Sequence, residues 1–271
     1  MLPGVPADEG LDHAERRLRR AQMTSGADLS IVVPAFNEEK RLAKSLQSIR
    51  AYVKSRSLRA EVLVVDDGST DSTARIVELS RKEFPELRLI SNGRNRGKGF
   101  SVRHGMLEAR GEIALFTDAD LSAPIEEADK LLAALREGAY DGAIGSRAVD
   151  RSLIEVHQSA FRERAGIVFN RIVRRIIGLP FQDTQCGFKA FRRERARVIF
   201  EQQRTTGFGF DPEILLLAQR KGLRIAEIPV RWAHHPATKV NLFGDSLRMF
   251  LDLLAIRWNA LTGRYSAQER Q

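Results

Sequence analysis

The sequence predicts an α/β fold in which a mostly parallel central sheet carries helices on both faces. Strand-like and helix-like segments alternate from about residue 29 to residue 147. The strand-like segments are short and almost continuously apolar, as expected for parallel strands that are covered on both sides. Several of them end in polar turns rich in acids, and ligands bind at the carboxyl edge of such sheets.

The elements follow one another without an internal repeat. Apolar runs predict strands at 29–36, 61–68, 87–92, 113–120 and 140–147. Apolar residues at three- and four-residue spacing predict helices at 38–53, 71–84, 98–111 and 125–138. In the first helix this stripe consists of Leu42, Leu46, Ile49 and Val53. The alternation becomes less regular after residue 150, so the pattern predicts the first half of the fold in more detail than the second.

Composition indicates a folded protein of enzyme size. The 271 residues are 43% hydrophobic and 29% charged, which excludes a mostly disordered chain and a multispanning membrane protein. The net charge of +9 predicts an anionic partner such as a phosphorylated substrate or lipid, although basic proteins without one exist. No nucleic-acid partner is expected. The single Cys186 excludes an internal disulfide and a multi-cysteine zinc site, so we expect a reducing cytoplasm.

The chain divides into three predicted parts. Residues 1–28 are polar and are expected to form a flexible tail, without the basic and apolar regions of a signal peptide. Residues 29–240 form the predicted catalytic domain. Residues 241–271 contain an amphipathic helix and a C-terminal tail.

The C-terminal helix offers two interpretations. Four charged residues interrupt the stretch 241–261, so it does not read as a membrane span. Its apolar stripe consists of Phe243, Leu247, Phe250, Leu254, Trp258 and Leu261. This stripe either packs on the protein's own core or lies in a membrane interface with Trp258 at headgroup depth.

The polar turns predict an acidic pocket at one edge of the sheet. The sequences PAFNEE, DDGSTD and DADLS follow the first, second and fourth strands. The acids that they bring together are Glu38, Glu39, Asp66, Asp67, Asp71, Asp118 and Asp120. Crowded carboxylates repel one another unless a cation lies among them. Mg²⁺ or Mn²⁺ fits, since such cations take one or two carboxylates and complete their coordination with water and substrate phosphates.

Six motifs in this order resemble the family 2 glycosyltransferases. They are IVVPAFNEE, VLVVDDGSTDST, GRNRGKGFSVRHGM, FTDADLS, GSR and QDTQCGFKAF. Within the family, the resemblance is to polyprenyl-phosphate sugar transferases of the dolichyl-phosphate glucosyl and mannosyl types. It implies a GT-A fold of the Rossmann-like kind, a nucleoside-diphosphate sugar as donor, a divalent metal and inversion at the anomeric carbon.

The resemblance also implies residue roles on the donor side. Donor-binding positions correspond to Pro34, Phe36, Glu38, Val65, Asp66, Asp67, Lys98, Ala119, Lys189 and Lys239. Asp120 matches the metal-binding acid of the family, and Asp118 matches a contact to ribose or metal. The third implied metal position is Ser122, where the mannosyl branch often has glutamine. The shorter serine favours the glucosyl branch.

The acceptor side requires cations more than a base. A phosphate monoester is already ionised at pH 7, so a polyprenyl phosphate can act as nucleophile without losing a proton. Arg147 and Arg162 match the acceptor-phosphate positions of the family, whereas Gly166 stands where a mannosyl-type relative has a serine. Arg162 belongs to a predicted helix at 161–177 with a basic face beside an apolar one. That face can equally be a solvated arginine surface over a core stripe.

Two further acids remain open between catalytic and structural roles. Asp183 belongs to the QDTQCGFK motif together with Gln185, Cys186 and Lys189, and Cys186 is expected to pack rather than to react. Asp211 precedes Pro212 and is either a base or a helix N-cap. Predicted catalytic residues are therefore Asp118, Asp120, Asp183, Asp211 and Arg147.

The sequence favours an inverting hexosyltransferase that moves glucose, or next mannose, to a polyprenyl phosphate. We expect peripheral contact with a membrane on its cytoplasmic face. One alternative is a family 2 enzyme with a soluble or saccharide acceptor and Asp211 as base. Another is a module that binds a nucleotide sugar or an anionic polymer without turnover, which only the positive charge suggests.

Overall fold

The computed structural model describes residues 27–138, 140–157, 159–234 and 244–265, with the side chains at 161–162 and 244–247 outside the description. Most of the predicted tail at 1–28 therefore also lies outside the described residues. The strands are β1 Leu29–Ala35, β2 Ala60–Asp66, β3 Leu87–Ser91, β4 Ile113–Thr117, β5 Gly142–Ser146, β6 Ile154–Val156, β7 Phe188–Arg192, β8 Ile225–Pro229 and β9 Trp232–Ala233. The helices are α1 Leu42–Ser55, α2 Thr73–Ser80, α3 Lys98–Glu108, α4 Ala128–Arg136, α5 Ala160–Ile177, α6 Arg193–Gln202, α7 Phe210–Arg220 and α8 Gly244–Leu261.

The central sheet has seven strands in the order β3-β2-β1-β4-β7-β5-β8. β1 pairs in parallel with β2 and β4, and β5 pairs in parallel with β8. This confirms the predicted mostly parallel sheet. The exception is β7, which is antiparallel to both of its neighbours, β4 and β5. The sequence pattern does not indicate this reversal.

Helices cover both faces of the sheet because side chains alternate along each strand. On β1, Ile31 and Val33 point into a core that includes buried residues of α1, α2 and α4. Val32, between them, points into a second core that includes residues of α3 and of α5 to α8. All three are fully buried, so the continuous apolar run reflects a strand with a core on each side.

The C-terminal helix α8 buries a different face from the predicted apolar stripe. Leu253, Ile256 and Ala260 pack into the second core and are at most 8% exposed. The described stripe residues Phe250, Leu254, Trp258 and Leu261 are instead 37%, 47%, 60% and 68% exposed. These four side chains do not pack on the protein's own core, whereas Phe243 and the side chain of Leu247 lie outside the described residues.

Helix α5 shows a similar division. Val173 and Ile177 are buried in the second core, whereas Val168 and Ile172 are exposed. α5 and α8 contact each other. The two helices thus add exposed apolar residues to the same side of the sheet, and among the described helices none is long and apolar enough to cross a bilayer.

Candidate active site

The carboxyl ends of β1, β2 and β4 surround a cavity of about 400 Å³. Eight of the predicted site residues line it: Pro34, Phe36, Glu38, Asp67, Lys98, Asp118, Ala119 and Asp120. Glu39 and Asp71 line a neighbouring depression of about 390 Å³. The parallel pairing of three strands thus brings together turns that are distant in sequence, as expected for this sheet edge.

Asp118 follows β4 and forms an ion pair with Lys98, whose Nζ lies 2.6 Å from Oδ1 of the carboxylate. Lys98 is the first residue of α3. Gly187 lies directly against the same carboxylate, because a Cβ built on it would be 2.3 Å from Asp118 Oδ2. The glycine of the QCGFK motif therefore leaves space that the Asp118 side chain fills.

Asp120 is held at both carboxylate oxygens. Its Oδ1 accepts hydrogen bonds from the backbone N–H of Ser122 at 3.0 Å and from Ser122 Oγ at 2.9 Å. Its Oδ2 accepts from Arg41 Nη1 at 3.2 Å. Between the acids, Leu121 has a φ of 49°, in the left-handed region that leucine rarely adopts, and such strain is often found at functional turns. Ser122 orients Asp120 here, and its implied metal contact stays a prediction.

Arg41 was not among the predicted site residues. It precedes α1, and its guanidinium also contacts Glu38, with Nε 2.5 Å from Oε2 and Nη2 3.0 Å from Oε1. The hydrogen bond to Glu38 raises the pKa of Arg41, burial opposes this rise, and the charges of Asp120 and Asp118 add to it. The only sequence signal was its place directly after the NEEK segment, two residues beyond Glu39.

Asp66, the last residue of β2, and Asp67, which follows it, each bind the backbone of a different loop. Asp67 is 3% exposed and accepts hydrogen bonds from Asn92 Nδ2 at 2.8 Å and from the backbone N–H groups of Arg96 and Gly97. Asp66 accepts from the backbone of Ser69 at 3.1 Å. Val65 is fully buried in the second core. Asp67 therefore fixes the loop that leads into Lys98 while keeping a place in the cavity wall.

A loop at 203–209 completes the cavity through Phe208, which sequence analysis did not identify. The loop contacts the start of α3, because Phe100 N donates to the Thr206 carbonyl at 3.1 Å. Buried Glu213 holds the loop by accepting from the Thr205 N–H at 2.7 Å, and it accepts from Tyr265 Oη at 2.7 Å. Burial raises the pKa of Glu213 against these hydrogen bonds. The chain beyond α8 thus supports the loop beside Lys98.

Arg147 and Asp183, predicted for acceptor binding and catalysis, bind each other. Arg147 Nε lies 2.6 Å from Asp183 Oδ2, and Nη2 lies 2.9 Å from Oδ1. Burial disfavours the charged carboxylate, but the Arg147 guanidinium outweighs it and lowers the pKa of Asp183 to about 2. The guanidinium also lies 5.5 Å from the ring centre of Trp232 in β9, a cation–π contact. Gln185 donates its backbone N–H to Asp183 at 3.1 Å.

Lys189 and Asp211 form a second buried pair. Lys189 lies in β7 with a fully buried side chain, and its Nζ contacts Asp211 Oδ1 and the Cys186 carbonyl. Burial raises the pKa of Asp211, and Lys189 and Lys98 oppose the rise. Asp211 is the second residue of α7, after an N-cap at Gly209, so the predicted N-cap position was wrong by two residues. Burial also raises the pKa of the Cys186 thiol to about 12, consistent with a packing role.

Two of the predicted site residues have side chains outside the described part of the chain. Lys239 lies outside the described residues, and so does the side chain of Arg162, although its backbone belongs to α5.

The donor set at this edge fits a hard divalent cation. The side chains of Asp118 and Asp120 are 34% and 15% exposed, so their oxygens face a cavity open to water. Among the described residues, no three His, Cys, Asp or Glu side chains are arranged to hold a metal ion by themselves. Two carboxylates completed by water and diphosphate oxygens match the way in which Mg²⁺ and Mn²⁺ bind.

Comparison with known proteins agrees with this geometry. The family model for glycosyl transferase family 2 matches residues 30–200. The dolichyl-phosphate beta-glucosyltransferase of Saccharomyces cerevisiae is 36% identical over 256 residues, which span 88% of this chain and 76% of the yeast protein. Proteins of the same name from Drosophila melanogaster and Homo sapiens are 38% and 35% identical, over 88% and 89% of this chain and 77% and 78% of their own.

Solved structures show the same fold. Glucosyl-3-phosphoglycerate synthase from Mycobacterium tuberculosis in complex with UDP has a TM-score of 0.64 and 22% identity, covering 95% of this chain and 86% of that one. The same synthase with Mn²⁺ and UDP-glucose has a TM-score of 0.64 at 21% identity, covering 95% and 84%. The family predicted from six motifs is thus confirmed, and the chain belongs to the family 2 glycosyltransferases.

Proposed function

We propose that this glycosyltransferase moves glucose from UDP-glucose to a dolichyl or other polyprenyl phosphate, with inversion at the anomeric carbon. The observation that carries the proposal is the similarity, at 34% to 38% identity, to proteins named dolichyl-phosphate beta-glucosyltransferase over most of the chain. The cavity at the carboxyl edge of the sheet supplies the donor site, where the acids and Lys98 lie together.

The donor side would stabilise a leaving diphosphate. Asp118 and Asp120 would hold Mg²⁺ or Mn²⁺, and the cation would neutralise charge that develops on the diphosphate. Lys98 begins α3, so its ammonium and the N-terminal end of the helix both favour an anion beside it. Asp67 holds the loop before Lys98 and would thereby set the distance between nucleoside and diphosphate.

The acceptor side requires a cationic surface and no strong base. Exposed arginines of α5 and α8 supply such a surface beside the exposed apolar residues; these are Arg164, Arg171, Arg175, Arg248 and Arg257. Asp211 is 4% exposed and bound to Lys189, which disfavours its use as a base for a soluble acceptor. A phosphate monoester acceptor fits these observations because it arrives as an ionised nucleophile.

A membrane contact through α8 and α5 would bring the enzyme to its lipid acceptor. Trp258 and Leu261 are 60% and 68% exposed, and Val168 on α5 is 54% exposed. Exposed aromatic and aliphatic residues flanked by arginines favour the interface of an anionic bilayer. We place the protein on the cytoplasmic face, in keeping with its single buried thiol.

The decisive experiment is sugar transfer by purified protein. Labelled UDP-glucose and GDP-mannose are supplied in parallel with polyprenyl phosphate in detergent, and Mn²⁺ or Mg²⁺ is compared with a chelator. We expect lipid-linked label from UDP-glucose only, and its loss on chelation. Label from GDP-mannose alone would contradict glucose as the transferred sugar. Donor hydrolysis without a lipid product would contradict polyprenyl phosphate as the acceptor.

Membrane contact is tested separately by sedimentation with anionic liposomes. We expect binding that weakens at high salt and in Trp258→Ala. Leu79→Ala is the matched control, since Leu79 is 53% exposed on α2, on the opposite face of the sheet. Equal sedimentation of both variants would reject the role of α8, and sedimentation that high salt leaves unchanged would reject the electrostatic contribution.

A further inference from the structure

Arg41 lies among the acids that would hold the cation, although it is itself a cation. Its guanidinium contacts Glu38 through two nitrogens and Asp120 Oδ2 through the third, at 3.2 Å. On the other side of the turn, Lys98 pairs with Asp118 at 2.6 Å. Both predicted metal-binding carboxylates are therefore already paired with a positive side chain of the protein.

The position of Arg41 is fixed by backbone contacts. Its N–H donates to the Glu38 carbonyl at 3.1 Å, just before α1 begins. One turn along the helix, Ser45 Oγ donates to the Ala119 carbonyl at 2.7 Å, which ties α1 to the turn between Asp118 and Asp120. Helix α1 therefore joins the backbone at Arg41 to the acidic turn.

Arg41 precedes α1 and differs in exposure from the arginine that follows the helix. The side chains of Arg41 and Asp120 are 22% and 15% exposed, whereas those of Arg56 and Asp129 are 48% and 43% exposed. Exposed pairs are screened by water, while a partly buried charge acts more strongly on a neighbouring ion. Arginine also stays protonated at any pH at which the enzyme works.

A fixed positive charge beside Asp120 has opposite effects on the two ligands of the site. It repels a divalent cation that arrives alone and reduces the negative charge that would attract it. A nucleoside diphosphate is attracted by Arg41 and Lys98 and brings the oxygens that complete the metal shell. Cation and diphosphate would therefore bind more tightly together than either binds alone.

We propose that Arg41 is a positioning residue that couples cation binding to donor binding. It orients Asp120 and keeps the acidic turn from holding a divalent cation until the diphosphate is present. The inference rests on the proposed function, because it concerns the same cation and the same donor.

The coupling is measured from the free Mn²⁺ signal in electron paramagnetic resonance. The purified full-length protein is titrated with Mn²⁺ in the presence and absence of UDP, and a protein-free titration corrects for Mn²⁺ bound to UDP alone. We expect the wild type to bind Mn²⁺ more tightly with UDP. Arg41→Gln should bind Mn²⁺ on the order of tenfold more tightly without UDP, so that UDP adds less to its affinity.

Two further variants separate charge from geometry. Arg56→Gln removes an arginine near the end of the same helix and should leave both Mn²⁺ affinities at their wild-type values. Arg41→Lys keeps the charge but loses the paired contact with Glu38, so its Mn²⁺ affinity without UDP should stay near the wild-type value while kcat falls. The same result for the lysine and glutamine variants would overturn the electrostatic argument.

The outcomes distinguish this inference from the proposed function. If the wild type binds Mn²⁺ no better with UDP than without it, the metal-assisted donor site and the coupling both fail. If the wild type shows the coupling and Arg41→Gln shows it equally, only the role of Arg41 is overturned. Glucose transfer by the wild type, measured in parallel, reports on the proposed function independently of either result.

Discussion

The four predicted catalytic acids fall into two pairs that differ in exposure and in the cations that they contact. Asp118 and Asp120 face the cavity, are 34% and 15% exposed, and contact Lys98 and Arg41. Asp183 and Asp211 are each 6% exposed as side chains and contact Arg147 and Lys189.

The difference in exposure predicts different roles for the two pairs of carboxylates. A partly exposed carboxylate can exchange its protein partner for a ligand at little cost, because water replaces the lost contact. A buried carboxylate depends on its one partner, since an unpaired charge in the interior is strongly unfavourable. We therefore expect the exposed pair to determine activity and the buried pair to determine stability.

The strongest test of this division is Asp120→Ala. We expect transfer of glucose to polyprenyl phosphate to fall on the order of 10³-fold, since the proposed cation would lose a ligand. The melting temperature should change little, because Asp120 is partly exposed and Arg41 keeps its contacts with Glu38. Retained transfer would show that Asp120 holds no essential cation.

Asp183→Asn should show the opposite profile. The amide cannot balance the charge of Arg147, so the free energy of unfolding should fall by about 3 kcal/mol. Urea unfolding followed by circular dichroism measures the change, with Glu126→Gln, at an exposed position, as the control that should leave stability unaffected. If Asp183→Asn were as stable as the wild type but inactive, the predicted catalytic role of Asp183 would be supported instead.

Gly187→Ala tests the contact between Asp118 and Gly187, the residue before β7. A methyl group placed 2.3 Å from Asp118 Oδ2 must displace the carboxylate, so we expect transfer to fall on the order of 10²-fold. Gly166→Ala is the control, since its added Cβ meets nothing within 4 Å and alanine favours a helix. Unchanged transfer by Gly187→Ala would mean that Asp118 tolerates displacement.

The smallest expected effect is a pH dependence of stability. The folded pKa of Asp183 is about 2, below the ordinary value of 3.8, so this group stabilises the fold above pH 4. That contribution, about 2 kcal/mol, should be lost as the pH falls from 4 towards 2. The stability difference between wild type and Asp183→Asn should shrink over this range in urea titrations. If the stability difference stayed constant over this pH range, ionisation of Asp183 would not contribute to the stability of the fold.

Local sequence predicted part of the acidic pocket: of the seven acids expected there, Glu38, Asp67, Asp118 and Asp120 line the cavity. Each acidic turn directly follows an apolar strand, which places the turns at one edge, but Glu39 and Asp71 line a neighbouring depression and Asp66 binds the backbone of Ser69. Arg41 was missed because its role depends on Asp120, which is close in space and distant in sequence. A single arginine beside two glutamates has no pattern that distinguishes it from a surface charge.

Periodicity identified the apolar stripe of α8 but not its environment. Leu254, Trp258 and Leu261 have helical spacing, and so do Leu253, Ile256 and Ala260, which pack on the core. A helix with two apolar faces gives no sequence signal for which face is buried. The antiparallel direction of β7 also has no sequence signal. A strand covered on both faces is a continuous apolar run whether it is parallel or antiparallel to its neighbours.

The position of β7 has a consequence for how the chain folds during its synthesis. Strands β1 to β4 emerge from the ribosome first and can pair with one another, which assembles most of the donor edge. β5 follows but cannot join them, because β7 lies between β4 and β5 in the finished sheet. We expect the nascent chain to complete its sheet, and Gly187 to reach Asp118, only after residue 192 has left the ribosome.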